Sequence, residues 1–186
     1  MSVIIAIKND NHIIMGCDSQ VTYGSLKLKT SNKIFNIQNC PQGIMGVAGN
    51  LRGAQLLQIQ DFLIDEINVL KEKIDFKYCV EKLYNKIYNI FLENRLAKKE
   101  DMFLDCEFIL AYKDNAFWIS SDGCVFEIDD FLVIGSGFET AQAVLLGNKN
   151  KSPKTRIKEA IKACAEKTLY VDNNTIFMDT QSKTEE

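Results

Sequence analysis

The spacing of apolar residues along the chain predicts two blocks, each made of β-strands followed by a pair of helices. The first block contains four segments rich in β-branched and other apolar residues, over residues 2–8, 12–17, 33–37 and 43–48. Polar residues 9–11 connect the first two segments, and such a connection is typical of a β-hairpin. Apolar residues at helical spacing then predict two helices, over residues 50–73 and 75–97.

The second block repeats this order and ends with one more strand. Its strand-like segments are residues 107–112, 116–120, 124–128 and 131–134, and its helices are predicted over residues 137–146 and 153–167. Residues 175–178 form the last strand, and residues 180–186 form a polar tail that we expect to be flexible. Because no linker or internal repeat interrupts the pattern, we predict a single domain over residues 1–186, with two sheets between two layers of helices.

Composition and charge exclude several functional classes. The chain has 186 residues and a formal net charge of −3, so it lacks the excess of basic residues typical of nucleic-acid-binding domains. Its apolar runs are shorter than the roughly 20 residues that a transmembrane helix needs. The first residues lack the basic start and the cleavage site of a secretory signal. We therefore expect a cytoplasmic protein that binds neither nucleic acid nor membrane.

Six cysteines and a single histidine narrow the chemistry further. No CxxC pair is present, which argues against a zinc ribbon or a thioredoxin-like redox site. The cysteines within apolar runs are predicted to be buried reduced thiols, which agrees with a cytoplasmic location: Cys17, Cys79, Cys106 and Cys164. Because His12 is the only histidine, a metal site with several histidines is impossible, and we expect a catalytic base other than imidazole.

Serine at position 2 is the candidate nucleophile. Removal of the initiator methionine, which is usual before a small residue, would leave Ser2 with a free α-amine. Such a residue carries its own general base beside its hydroxyl, because an α-amine has an ordinary pKa of about 7.7–8.0. A dinucleotide site at the loop Gly135-Ser136-Gly137 is a weaker interpretation, because the third glycine and the acidic residue of that motif are missing.

Further motifs follow Ser2 in a characteristic order. Gly16-Cys17-Asp18-Ser19-Gln20 follows the second strand, Lys33 opens the third, and Met45-Gly46-Val47-Ala48-Gly49 leads into the first helix. Val133-Ile134-Gly135-Ser136-Gly137 later joins a strand to a helix. In this order and spacing, the chain resembles the proteasome β-subunit and HslV family of N-terminal nucleophile hydrolases over nearly its whole length. The resemblance implies an α+β fold, a four-layer αββα sandwich of two antiparallel sheets flanked by helices, and a threonine- or serine-type endopeptidase.

The resemblance implies catalytic roles for Ser2, Asp18, Lys33, Gly49, Ser136 and Glu166. Ser2 would replace the family's threonine as nucleophile. Asp18 would hold Lys33, whose ammonium keeps the neighbouring α-amine unprotonated. The backbone N–H of Gly49 would stabilise the oxyanion, and Ser136 would support the nucleophile. Glu166 stands near the position at which the family has an aspartate.

Substrate binding is assigned by the same resemblance to Val21, Thr22, Ser31, Phe35 and Val47. None of these residues is charged, so the pocket for the residue before the scissile bond is expected to prefer leucine, phenylalanine or tyrosine. Discrimination among apolar residues is expected to be loose.

The resemblance also implies partners and a bound ion. A monovalent cation such as sodium would bind the carbonyl groups of Ala165, Thr168 and Val171, and no other cofactor is required. The subunits would form a homo-oligomeric double ring, with an ATP-dependent unfoldase ring as a possible partner and unfolded polypeptides as substrates. Two alternatives on the same fold stay open: a catalytically silent structural subunit, which would retain Met1, and a small-molecule amidase outside a closed ring.

Overall fold

The computed structural model describes residues 2–30, 33–63, 74–98, 100 and 103–181. Its first block consists of β1 (Val3–Asn9), β2 (His12–Asp18), β3 (Gln20–Tyr23), β4 (Leu26–Lys29), β5 (Ile34–Asn36), β6 (Gly43–Gly49) and α1 (Leu51–Ile59). Helix α2 combines α-helical Phe76–Tyr78, a π-helical stretch Cys79–Leu83 and α-helical Tyr84–Glu93. The second block consists of β7 (Cys106–Tyr112), β8 (Asn115–Ile119), β9 (Val125–Glu127), β10 (Phe131–Gly135), α3 (Phe138–Gly147), α4 (Pro153–Lys167) and β11 (Thr175–Asp179).

All described strands except β3 and β4 assemble into two antiparallel sheets, with the strand orders β10-β1-β2-β11 and β5-β6-β7-β8-β9. Helices α3 and α4 pack on the outer face of the first sheet, and α1 and α2 pack on the outer face of the second. The predicted four-layer sandwich of two antiparallel sheets flanked by helices is therefore confirmed.

Strand β1 is buried on both of its faces, which explains its uninterrupted apolar sequence. Ile4 and Ala6 point toward the second sheet, whereas Val3, Ile5 and Ile7 pack beneath α3 and α4. All five side chains are fully buried. The start of β1 is thereby fixed in the centre of the molecule, and Ser2 lies directly before it.

The hairpin of β3 and β4 is not among the strands predicted from the sequence. The two strands pair only with each other in the described structure, and all four residues of β4 are exposed. The sequence of β4, Leu26-Lys27-Leu28-Lys29, alternates between apolar and charged residues, which is a short strand signal that the sequence analysis missed. The alternation does not mark a buried face here, because both leucines are exposed.

Both predicted long helices end earlier than expected. Helix α1 ends at Ile59, and Gln60 has an extended backbone with φ −96° and ψ 139°. Beyond it, Phe62 and Leu63 are both buried in the core between the second sheet and its helices. The rest of that predicted helix, residues 64–73, lies outside the described residues. Helix α2 ends at Glu93 rather than at residue 97.

Thr180 belongs to the predicted flexible tail, but it is fully buried. Its N–H donates to the carbonyl of Ile13 (3.0 Å), and its hydroxyl oxygen accepts from the N–H of Ile13 (2.9 Å). The ordered fold therefore extends at least to Thr180, and residues 182–186 lie outside the described residues.

Two predictions from composition can be compared with the fold. The cysteines predicted to be buried thiols are all free and buried: Cys17, Cys79, Cys106 and Cys164. In the described part of the chain, no helix has the length and apolar character that crossing a membrane requires.

Candidate active site

Asp18 and Lys33 form a buried ion pair between the two sheets. Asp18 ends β2, and Lys33 comes directly before β5. Lys33 Nζ lies 2.8 Å from Asp18 Oδ1, and the two side chains are 2% and 0% exposed. The carboxylate of Asp18 also accepts hydrogen bonds from the backbone N–H groups of Val3 (3.0 Å) and Gln20 (3.1 Å). The fold thus brings together the two residues that the sequence analysis paired.

The ammonium of Lys33 has N–H groups that donate no hydrogen bond to a described residue. Its Nζ is within ion-pair distance of Asp18, but the approach is not aligned for a hydrogen bond, and Nζ makes none to a described residue. Buried polar groups are normally satisfied, so an unsatisfied ammonium calls for an explanation. Lys33 lines a cavity beside Ser2, and a substrate bound in that cavity could accept hydrogen bonds from the Lys33 ammonium.

Ser2 is held through its backbone. Its carbonyl oxygen accepts hydrogen bonds from the N–H of Ser136 (2.7 Å) and from the Ser136 hydroxyl (3.3 Å). The neighbouring Gly135 has φ 92°, and a Cβ at this position would lie 2.1 Å from the Ser2 oxygen, so only glycine permits the contact. The Ser2 hydroxyl has no hydrogen-bond partner among the described residues, which leaves it available for chemistry.

The N–H of Gly49 is directed toward the Lys33 side of β6. On that side, the N–H of Val47 donates to the carbonyl of Lys33 (2.8 Å), whereas the N–H of Asn50 donates to Asp105 on the opposite side (3.0 Å). Backbone N–H groups alternate along a strand, so Gly49 shares the direction of Val47. Gly49 has φ 121°, and a Cβ would lie 2.3 Å from the Asp105 carbonyl oxygen. Glycine is therefore required at position 49, where the backbone N–H faces the Lys33 side of β6.

Ser2 and Gly49 lie at the junction of two cavities. The first, here named the Val47 cavity, has a volume of about 380 Å³ and is also lined by Val21, Thr22, Lys33 and Val47. The second, here named the Glu107 cavity, has a volume of about 300 Å³ and is also lined by Ala48, Leu104, Asp105, Glu107 and Ser136. Ser2, the candidate nucleophile, thus borders a cavity on each of two sides.

The substrate-binding residues inferred from the resemblance are only partly brought together. Val21, Thr22 and Val47 line the Val47 cavity. Phe35 does not, because it is 2% exposed and packs in the core between the second sheet and its helices. Ser31 lies outside the described residues.

The buried thiols near the site are not competing nucleophiles. Burial raises the pKa of Cys17 to about 12, although the nearby Lys33 lowers it in part. Burial also raises the pKa of Cys106, which lines the Glu107 cavity, to about 12. Because the thiolate is the reactive form, both side chains stay unreactive near neutral pH. Ser2, which lines both cavities, stays the candidate nucleophile.

Comparisons with known proteins identify the family of the chain. The family model described as "Proteasome subunit" matches residues 2–175. The chain belongs to the proteasome subunit family. Its relatives include two proteins named ATP-dependent protease subunit HslV. The one from Sulfurihydrogenibium sp. is 27% identical, with 95% of this chain and 94% of the relative covered. The one from Campylobacter hominis is also 27% identical, with 93% and 92% covered.

Solved structures show the same fold for this proteasome-family subunit. Thiobacillus denitrificans BPH in complex with epoxomicin has a TM-score of 0.74 at 15% identity, with 98% of this chain and all of that chain covered. Eukaryotic HslV from Trypanosoma brucei has a TM-score of 0.68 at 16% identity, with 95% and 98% covered.

Glu166 is not brought to the other predicted catalytic residues of this proteasome-family subunit. It lies exposed near the end of α4 and lines neither the Val47 cavity nor the Glu107 cavity. The residues assigned to a cation, Ala165, Thr168 and Val171, lie at the same end of α4 and in the loop that follows. The final carbonyl groups of a helix have no intrahelical partner, so this position suits carbonyl ligands.

A different carboxylate from this loop, Asp172, reaches toward the site and was missed by the sequence analysis. It accepts hydrogen bonds from the N–H (3.0 Å) and the hydroxyl (2.7 Å) of Ser19, the neighbour of Asp18. In parallel, the side chain of Gln20 donates to the carbonyl of Leu169 (2.6 Å). These contacts anchor the end of β2, but the partners are about 150 positions apart in sequence. No local pattern could reveal them.

Proposed function

We propose that this proteasome-family subunit is a peptidase that cleaves peptide bonds through an acyl-enzyme on Ser2, after removal of Met1. The observation that carries the proposal is the convergence of three groups on the Val47 cavity. These are the unpaired Ser2 hydroxyl, the Lys33 ammonium with unused donors, and the outward-directed N–H of Gly49. The names of the HslV relatives support the same class of enzyme.

In the proposed reaction, the free α-amine of Ser2 accepts the proton of the hydroxyl, and Oγ attacks the carbonyl carbon of the scissile bond. The negative charge that develops on the carbonyl oxygen is stabilised by the N–H of Gly49. The protonated amine then gives its proton to the leaving nitrogen, and the carbon–nitrogen bond breaks. A water molecule hydrolyses the resulting ester and regenerates Ser2.

Lys33 acts in this scheme through its charge. A cation close to the α-amine disfavours protonation of that amine by like-charge repulsion, which keeps the base ready. Asp18 balances the buried charge of Lys33 and orients β1 through the N–H of Val3. Ser136 fixes the Ser2 carbonyl, and with it the direction of the side chain.

A monovalent cation is part of the proposal only as a structural ion. Carbonyl groups of Ala165, Thr168 and Val171 would hold it at the end of α4, and Val171 is 3% exposed. The nearby carbonyl of Leu169 is already bound by Gln20. An ion there would stiffen the loop that anchors the end of β2.

We also propose that the subunits assemble into a closed double ring in the cytoplasm, with an ATP-dependent unfoldase ring as a partner and unfolded polypeptides as substrates. Compartmentation would keep an unspecific peptidase away from folded proteins. With subunits of 21.1 kDa, about 12 to 14 copies in closed symmetry give a particle of roughly 250–300 kDa. Light scattering at micromolar concentration measures this mass. A single species near 21 kDa would instead favour the small-molecule amidase.

Peptide hydrolysis by the purified assembly tests the proposed function. We expect fluorogenic peptides that end in leucine or tyrosine to be cleaved faster than those that end in arginine or glutamate. Val21 and Val47 make one wall of the Val47 cavity apolar, and an apolar wall does not compensate the desolvation of a charged side chain. The charged residues of its described lining are cations, Lys33, which is paired with Asp18, and Arg52, which is exposed, so no carboxylate there would bind arginine. Faster cleavage after arginine or glutamate would show that the cavity is assigned wrongly. The absence of hydrolysis of all four would favour the silent subunit.

A further inference from the structure

We propose that the Glu107 cavity binds a lysine or arginine side chain on the leaving side of the scissile bond, immediately after the bond that is cut. This inference rests on the proposed function, which assigns the Val47 cavity to the residue before the bond. Ser2 and Gly49 line both cavities, so the reacting carbonyl lies between them. The two fragments of a peptide leave a scissile bond in opposite directions, so the second cavity receives the amine fragment.

The position of Glu107 breaks the pattern of its strand. Along β7, side chains alternate between the two faces of the sheet. Ile109 and Ala111 share the face of Glu107 and are fully buried between the two sheets. Glu107 places a carboxylate on the face of β7 that otherwise carries buried apolar side chains, and packing does not favour a charge there. Residues that break the hydrophobic pattern of their strand in this way are found mainly at functional sites.

The two carboxylates of the Glu107 cavity have no side-chain partner in the part of the chain that the structure describes. Asp105 is exposed and Glu107 is half-buried, and neither side chain makes an ion pair or a hydrogen bond with a described residue. The described lining of the cavity contains no lysine or arginine. A half-buried carboxylate without a counter-charge favours binding of a cation supplied by a ligand.

The shape and polarity of the cavity fit a long basic side chain. Ala48 and Leu104 supply apolar contacts, and Leu104 is 3% exposed. The aliphatic stems of lysine and arginine pack against apolar surface while their charged ends reach polar groups. With the stem against Leu104, the charged end would reach the carboxylate of Glu107.

The test compares internally quenched peptides that differ only in the residue after the scissile bond, with leucine before it. Lysine and norleucine form the matched pair, because they have the same stem and differ in charge. We expect kcat/KM to be about tenfold higher for lysine, as for a charge-assisted hydrogen bond at a half-buried site. In Glu107→Gln the ratio should fall toward one. Glu81→Gln, which removes an exposed carboxylate from α2, should keep the wild-type ratio.

The outcomes separate this inference from the proposed function. A leucyl aminocoumarin peptide has no residue after the scissile bond, so its hydrolysis reports the proposed function alone. Hydrolysis of that peptide with equal rates for lysine and norleucine would overturn the inference and leave the function intact. A lysine preference that persists in Glu107→Gln would also overturn it. If no peptide is cleaved at all, the proposed function and the inference fall together.

Discussion

Replacement of Lys33 by alanine is expected to abolish peptide hydrolysis and to lower the free energy of unfolding by about 3–5 kcal/mol. The stability loss follows from burial, because Asp18 is 0% exposed and would keep its charge without a counter-ion. The activity loss follows from the proposed chemistry, because the α-amine of Ser2 would lose the cation that keeps it unprotonated. Denaturant unfolding and hydrolysis of a leucyl aminocoumarin peptide measure the two effects.

Two further variants separate the charge of Lys33 from its shape. Lys33→Arg keeps the positive charge but replaces a compact ammonium by a planar guanidinium, so it should fold and still be poorly active. Lys154→Ala removes an exposed lysine from α4 and should change neither property. Full activity in both Lys33 variants would show that this residue has no part in the chemistry.

Replacement of Ser2 by alanine is expected to reduce the hydrolysis rate by about 10³-fold or more while leaving the fold intact. The fold is spared because Ser2 is held through its carbonyl oxygen, which alanine retains in its contact with Ser136. Ser2→Thr keeps the hydroxyl and the α-amine, so it should remain active. Turnover by the three proteins, with thermal melting as a check on folding, gives the comparison. Unchanged turnover in Ser2→Ala would place the nucleophile elsewhere.

Local patterns in the sequence predicted the parts of the fold whose burial is regular. The strands of the first sheet stand out because β1 is buried on both faces and its residues form one apolar run. The Gly135 turn stands out because strand, glycine and helix follow each other directly. The hairpin of β3 and β4 was missed although β4 alternates between leucine and lysine, because four exposed residues give only a short signal.

For the candidate active site, too, local patterns could not predict contacts between residues far apart in the sequence. The resemblance to the family implied the pairing of Asp18 with Lys33, and the fold places Lys33 Nζ 2.8 Å from Asp18 Oδ1. Asp172 could not be found, because its contacts with Ser19 depend on how α4 returns to β11. Glu107 carried a weak signal as a charged residue at the start of an apolar run. Its meaning required the second cavity beside Ser2.

The most direct test of the central claim is the intact mass of the protein before and after treatment with a peptide α′,β′-epoxyketone. This inhibitor needs a hydroxyl and a free α-amine on one residue: Oγ adds to the ketone, and the amine opens the epoxide without loss of a leaving group. We expect a chain that lacks Met1 and gains the full inhibitor mass on Ser2, with no gain in Ser2→Ala. A chain that retains Met1 and stays unlabelled would contradict the account.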